Sequence, residues 1–166
     1  MQAERALEWM LSRVNDERKR PFGKLLSEHG VILEWIAKSR IEIDAARLIV
    51  LNAAAKIDET NAKDARTEIA EAKILVPTMA CTVIDRAVQA FGAAGICQDT
   101  PLAFMWAQIR TVRIADGPDE VHLQQMGRYE NKRGVEMQKK LEKQAKIVDE
   151  LFTHYGTKRA VVGSRL

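Results

Sequence analysis

Little of this chain is aromatic, 5% of its 166 residues, and it holds only four prolines and two cysteines. Aliphatic side chains must therefore build the interior. With 46% hydrophobic and 30% charged residues, the composition fits one globular domain with a real core and argues against a disordered chain. Cys81 and Cys97 have neither CxxC spacing nor a companion histidine cluster. With no secretory leader at the start, they read as buried small apolar residues in a reducing compartment. An excess of charge of one sign is also missing: the formal net charge is +3, and lysine and arginine interleave with glutamate and aspartate. That pattern disfavours nucleic-acid binding. No apolar run reaches the roughly eighteen residues a membrane span needs, so none is expected. Alternating β-patterns, Gly-rich phosphate loops and repeats of domain-building length are absent as well.

What the chain does have is helical periodicity. From Ala3 to about Val14, Leu7, Met10, Leu11 and Val14 recur at three- and four-residue steps, and Pro21 and Gly23 then mark a break. From about Ser27 to Glu59, Ile32, Ile36, Ser39, Ile43, Ala46, Val50, Ala53 and Ile57 form the seam of a packed helix. A third helix is expected from near Asn61 to the "FGAAG" stop at Gly92 and Gly95, with Pro77 kinking it. A short helix from about Pro101 to Val112 follows, and a last long one from about Pro118 to Tyr155. The distal half of that last helix is mostly charged but keeps Val135, Leu141, Ala145, Val148 and Phe152 near one stripe, as a solvated helix laid against a partner or its own bundle would. The expected fold is all-α, an antiparallel helical bundle of four-helix type spanning residues 1–155, with 156–166 as a flexible tail.

Most chemical constellations fail on spacing. Glu120 and His122 are two apart and face different sides of a helix, so the Glu-x-x-His pairs of a di-iron bundle are not present, and no metal site is expected. His29, His122 and His154 fall on separate segments, which leaves no nucleophile with its own base. The stretch "RIADGPDEVH", Arg113 to His122, stands out. It sets Asp116 just before a helix start, with Pro118 at the first helical position and Gly117 able to bring backbone close to a ligand. Asp119 and Glu120 then lie in the first turn, where the helix dipole favours acids. A well-made helix start accounts for all of this without any function.

Together with "AVQAFGAAGICQDTPLAFMWAQIRTV" before it and "RPFGKLLSEHGVI" far upstream, this stretch resembles the C-terminal helical domain of the acyl-CoA dehydrogenase family, from the first helix to about Arg133. The wording "ADGPDEVH" is similar to the branch whose larger members can carry a kinase-like domain ahead of the dehydrogenase. The resemblance implies an FAD-dependent enzyme that desaturates an acyl-CoA thioester: a carboxylate removes the α-proton while hydride passes from Cβ to the flavin. The family's base lies in a Glu-Gly-Thr motif, which places Asp116 as the catalytic carboxylate and Gly117 against the substrate. Aspartate is one methylene shorter, so backbone or substrate must sit closer. Flavin contacts carry over to Gln89, Phe91, Gly92 and Ala93, and to Pro118, Asp119 and Glu120. In the family the segment matching Gln89–Ala93 touches the flavin nucleotide of a neighbouring subunit, which implies a homodimer or homotetramer.

The chain also departs from the family pattern. Lys19, not arginine, stands three before Phe22, so Arg13, Arg18 and Arg20 are all candidates for the FAD pyrophosphate, Arg18 and Arg20 being nearest the motif. Ala93 replaces the second glycine of the usual pair. The family's N-terminal helical domain and β-domain, which hold most of the flavin site, are not in this sequence. The alternative expectation is therefore a non-catalytic helical module that dimerises or binds a partner, the isolated fragment being inactive alone. Finally, Ser164-Arg165-Leu166 is similar to a Ser-Lys-Leu peroxisomal address, with Lys158 and Arg159 upstream. A peroxisomal location is expected on that ground, with mitochondrion or cytoplasm as the alternatives.

Overall fold

A computed structural model describes residues 2–157, and the Ser164-Arg165-Leu166 tripeptide lies outside them. Six α-helices follow in order: α1 (Gln2–Val14), α2 (Gly30–Glu59), α3 (Arg66–Phe91), α4 (Ala93–Ile96), α5 (Leu102–Val112) and α6 (Asp119–His154). Two short 3-10 turns, Pro21–Gly23 and Leu26–Glu28, lie between α1 and α2. No strand occurs among the described residues. The chain divides into two compact units, Met1–Gln124 and Gln125–Leu166.

In the first unit α3 is the central helix, packed against α1, α2 and α5. Its buried residues include Ala70, Ala80, Ala87 and Ala90. Alanine is the best helix former and adds little bulk, so neighbouring helices can approach closely. Met10 and Val14 of α1, Val83 and Ile84 of α3 and Leu102 of α5 are fully buried, forming the heart of the core. Each such side chain contributes roughly 1.5–3 kcal/mol on leaving water.

Side-chain pairs fix the directions of the helices. Ser39 and Glu42, in the first half of α2, meet Arg86 near the end of α3. Lys73, near the start of α3, meets the end of α5. Both pairs therefore run antiparallel. Trp9 and Arg13, late in α1, meet Phe91 at the end of α3, so these two run the same way. The result is an up-down bundle of α1, α2, α3 and α5, the all-α architecture that the periodicity predicts.

Several details differ from expectation. α3 starts at Arg66, later than the expected start near Asn61, and runs on through Pro77, which is buried within it. α3 is also long and apolar enough, by length and composition, to cross a membrane. Its buried face, however, belongs to the shared core with α1, α2 and α5. The α2 seam is buried at Ile32, Ser39, Ile43, Ala46 and Ala53, but Val50 and Ile57 are open, because periodicity marks a face and not what covers it. Cys81 is buried, which pushes its thiol pKa up, whereas Cys97 is exposed on the loop after α4 and is not the buried thiol expected. Gly95 serves less as a helix stop than as a contact point: a Cβ there would lie 2.5 Å from the Val88 carbonyl oxygen. In the second unit every side chain from Glu130 to Glu142 is exposed, and Ala145, Val148 and Phe152 are half-buried.

Candidate functional site: the Arg113–His122 turn and the Phe91 corner

α5 ends at Val112 and α6 begins at Asp119, one residue later than expected, so Pro118 precedes the helix instead of opening it. The chain between must reverse within six residues, and two of them do so in the left-handed region: Asp116 at φ 54 and Gly117 at φ 97. Aspartate tolerates this conformation better than most side chains, and glycine tolerates it freely. Gly117 has a second reason to lack a side chain, since a Cβ would stand 3.1 Å from His122 Nε2. As expected, Asp119 and Glu120 fall in the first turn of α6.

The two acids take different parts. Asp119 is buried, its Oδ2 accepting a 2.7 Å hydrogen bond from Arg113 Nε, and its backbone N–H reaches the Arg113 carbonyl at 3.3 Å. Donating this bond to Asp119 raises the pKa of Arg113 further. Asp119 Oδ1 is buried with no hydrogen-bond partner among the described residues. Asp116 is exposed, which leaves its carboxylate open to a reacting molecule, and Glu120 and Pro118 are exposed beside it. Among the described residues no group of three histidines, cysteines or carboxylates could hold a metal ion.

The other predicted contacts gather at the far end of α3. Gln89, Gly92 and Ala93 are exposed, and Phe91 is half-buried. Phe91 packs against Trp9 at 5.9 Å between ring centroids, and the Arg13 guanidinium lies 5.8 Å over its ring. Arg13 Nη1 is buried and has no hydrogen-bond partner among the described residues. Arg18 and Arg20 are engaged locally instead. Arg18 holds Asp16 in a two-point ion pair at 2.9 and 3.0 Å, pulling that carboxyl down to about 2, and Arg20 Nε bonds Glu17 at 3.1 Å. Of the three candidate arginines, Arg13 alone stands at the Phe91 corner. Arg13 lies over Phe91, the residue before Gly92; Gly92 is at φ 64 with open space where a Cβ would go, and a guanidinium nitrogen with no hydrogen-bond partner suits an anionic group such as a pyrophosphate.

The structure brings Arg13 and Gln89–Ala93 together, and Asp116, Gly117, Pro118, Asp119 and Glu120 together, but keeps the two groups apart. Lys73, which reaches the Asp116 turn, and Gln89 are separated by about 24 Å along α3 at 1.5 Å per residue. Sequence reasoning missed Lys73, and no local signal could have found it, because its partners lie 39 and 42 residues away.

Fold and site thus define a helical-bundle domain with an acidic turn at one end and an arginine–aromatic corner at the other. The chain belongs to the acyl-CoA dehydrogenase family: residues 1–129 match its C-terminal domain. It is 50% identical over 128 residues to acyl-CoA dehydrogenase family member 11 of Rattus norvegicus, covering 77% of this chain and 16% of that protein. It is also 50% identical over 136 residues to family member 10 of Mus musculus, covering 82% of this chain and 12% of that one. Among solved structures, butyryl-CoA dehydrogenase from Megasphaera elsdenii superposes with a TM-score of 0.69 at 30% identity, over 76% of this chain and 32% of that one. The chain therefore spans about a sixth of the length of the animal member 11 relative and about a third of the solved structure.

Proposed function

We propose that this chain is the C-terminal part of an FAD-dependent acyl-CoA dehydrogenase that desaturates the Cα–Cβ bond of an acyl-CoA thioester. In that reaction Asp116 is the base that takes the α-proton, and Gly117 lies against the substrate. The observation that carries the reading is the exposed Asp116 carboxylate, presented on a left-handed turn next to a glycine. The turn points a short carboxylate away from the bundle, where a substrate can approach to hydrogen-bond distance, as a general base requires. FAD, when bound, supplies the acceptor for the hydride leaving Cβ.

Gln89, Phe91, Gly92, Ala93 and Arg13 would hold FAD at one corner, and Pro118, Asp119 and Glu120 at the other. The separation of the two corners along α3 supports service to two different cofactors, and hence a homodimer or homotetramer in which each chain completes its neighbour's site. In the domain outside such an assembly, these residues have no flavin pocket to close.

Purified with the rest of its enzyme, Asp116→Asn is expected to keep bound flavin and lose α-proton exchange on an acyl-CoA. Exchange at the normal rate would remove Asp116 from the base role. A second reading, a non-catalytic helical module, is favoured for the 166-residue chain alone because it spans so little of its relatives. FAD added to the purified chain should then leave no protein-bound flavin spectrum, and a bound spectrum bleached by acyl-CoA would overturn this reading. The peroxisomal address of Ser164-Arg165-Leu166 is proposed from sequence alone, and its deletion from a fluorescent fusion should redistribute the signal from peroxisomes to cytosol.

A further inference from the structure

The turn that carries Asp116 has no regular secondary structure of its own, so its backbone groups must find partners elsewhere. Thr111 O is taken by the N–H groups of Ile114 and Ala115, and Arg113 O by that of Asp119. Val112 O and Ala115 O accept instead from one side chain, Lys73 Nζ, with the Ala115 bond at 2.7 Å. Asp116 O faces His122 Nε2 at 3.4 Å, a long contact. The Arg113–Asp119 pair closes the turn from its own ends. Lys73 is different in kind: it reaches in from α3, the central helix, and grips the peptide immediately before Asp116.

We propose that Lys73 is a positioning residue for the reaction assigned to Asp116, its ammonium clamping the Val112 and Ala115 carbonyls so that the left-handed Asp116 points its carboxylate outward. This rests on the base role proposed above. The physical case is local. Val112 O is the last carbonyl of α5, at its negative dipole end, Ala115 O lies in the turn beyond it, and neither accepts from a backbone N–H among the described residues, so a half-buried ammonium meets both needs. Its three donors can serve two carbonyls from one nitrogen, which a neutral apolar side chain cannot do. The grip also ties the turn to the best-packed helix of the bundle, where Val83 and Ile84 are fully buried, and not to the exposed surface around it. Without it, Asp116 would sample conformations off the strained left-handed one, and displacement of a base by about 1 Å costs about a hundredfold in rate.

The test begins with the 166-residue chain, by amide hydrogen exchange and NMR. Lys73→Met is expected to speed exchange at Ala115 and Asp119 by about tenfold while the core amides of Val83 and Ile84 keep their rates, and Lys73→Arg is expected to restore protection. Unchanged exchange at Ala115 and Asp119, or equal acceleration across the core, would overturn the clamp. One readout needs no variant: the Lys73 Nζ signal of the unaltered chain should be protected from solvent and distinct from the exposed lysines, and a signal merged with theirs would also overturn it. In the enzyme that carries this domain, Lys73→Met should lower kcat for α-proton removal by about a hundredfold and leave KM within about twofold, with Lys73→Arg recovering most of the loss. Equal loss in kcat and gain in KM would count against positioning. Should Asp116→Asn instead retain α-proton exchange, the base assignment fails while the exchange results on the turn still stand, so the two failures are told apart.

Discussion

At the scale of single residues, Gly117 is required twice, by its φ of 97 and by His122 Nε2 standing 3.1 Å from where a Cβ would be. Holding a non-glycine residue in the left-handed region costs about 1–2 kcal/mol, so Gly117→Ala should lower the Tm by roughly 3–6 °C, as read by circular dichroism. Gly30→Ala is the control. A Cβ at Gly30 meets nothing within 4 Å and its helix gains propensity, so Tm should hold or rise. A Gly117→Ala Tm equal to that of the control would show that the turn adapts and that Asp116 is not fixed by its neighbour. Aspartate at 116 shares the logic. Asparagine keeps both the shape and the tolerance for this backbone, which makes it a cleaner replacement than alanine.

At the scale of helices, Glu4 clasps α1 to α2: its carboxylate accepts from Arg40 Nη1 at 2.6 Å and Nη2 at 3.0 Å, and from Arg47 at 3.2 Å. The hydrogen bond from Arg40 holds its pKa below the usual 4.5. A carboxylate with a depressed folded-state pKa stabilises fully above the unfolded value, and the contribution is lost as pH falls through the folded one. Chemical denaturation should therefore show a stability difference between the native chain and Glu4→Gln of roughly 1 kcal/mol at pH 7, shrinking below about pH 4. A difference constant from pH 7 to pH 3 would dismiss the clasp. Elements of this kind were partly legible in the sequence. Three-and-four spacing located the bundle helices because burial on one face is written into residue order, as at Ile32, Ser39, Ile43 and Ala46. The partners were not legible. Nothing near Lys73 or Arg13 announces that a carbonyl or a phenyl ring waits across the bundle, nor does Gly95 announce its contact with the Val88 backbone of the preceding helix. The acidic turn itself was readable because its glycine, proline and carboxylates are consecutive.

At the scale of the molecule, α2 is the helix whose apolar residues outrun the core. Its inner seam packs on α1 and α3, yet Ile41, Leu48 and Leu51 stand 68%, 67% and 57% exposed on the opposite side. A helix apolar on both faces belongs in an interior, and an exposed apolar face of this kind marks a surface that another body covers. On the reading proposed above, in which each chain completes its neighbour's site, a second copy of the chain is the occupant this face predicts, by the two-fold pairing most soluble oligomers use. Sedimentation velocity of the 166-residue chain at tens of micromolar should therefore show a dimer or larger species. Ile41→Lys combined with Leu48→Lys should shift it to monomer without loss of helicity, since neither side chain belongs to the buried core. In the enzyme that carries the domain, the proposed sharing of cofactors predicts that the same pair also weakens flavin retention, by separating the Arg13 and Gln89–Ala93 corner from the neighbouring chain. An unaltered chain that sediments as a monomer would overturn a second copy as the occupant of the outer face of α2. Dissociation with undiminished flavin binding would break the link between association and the site.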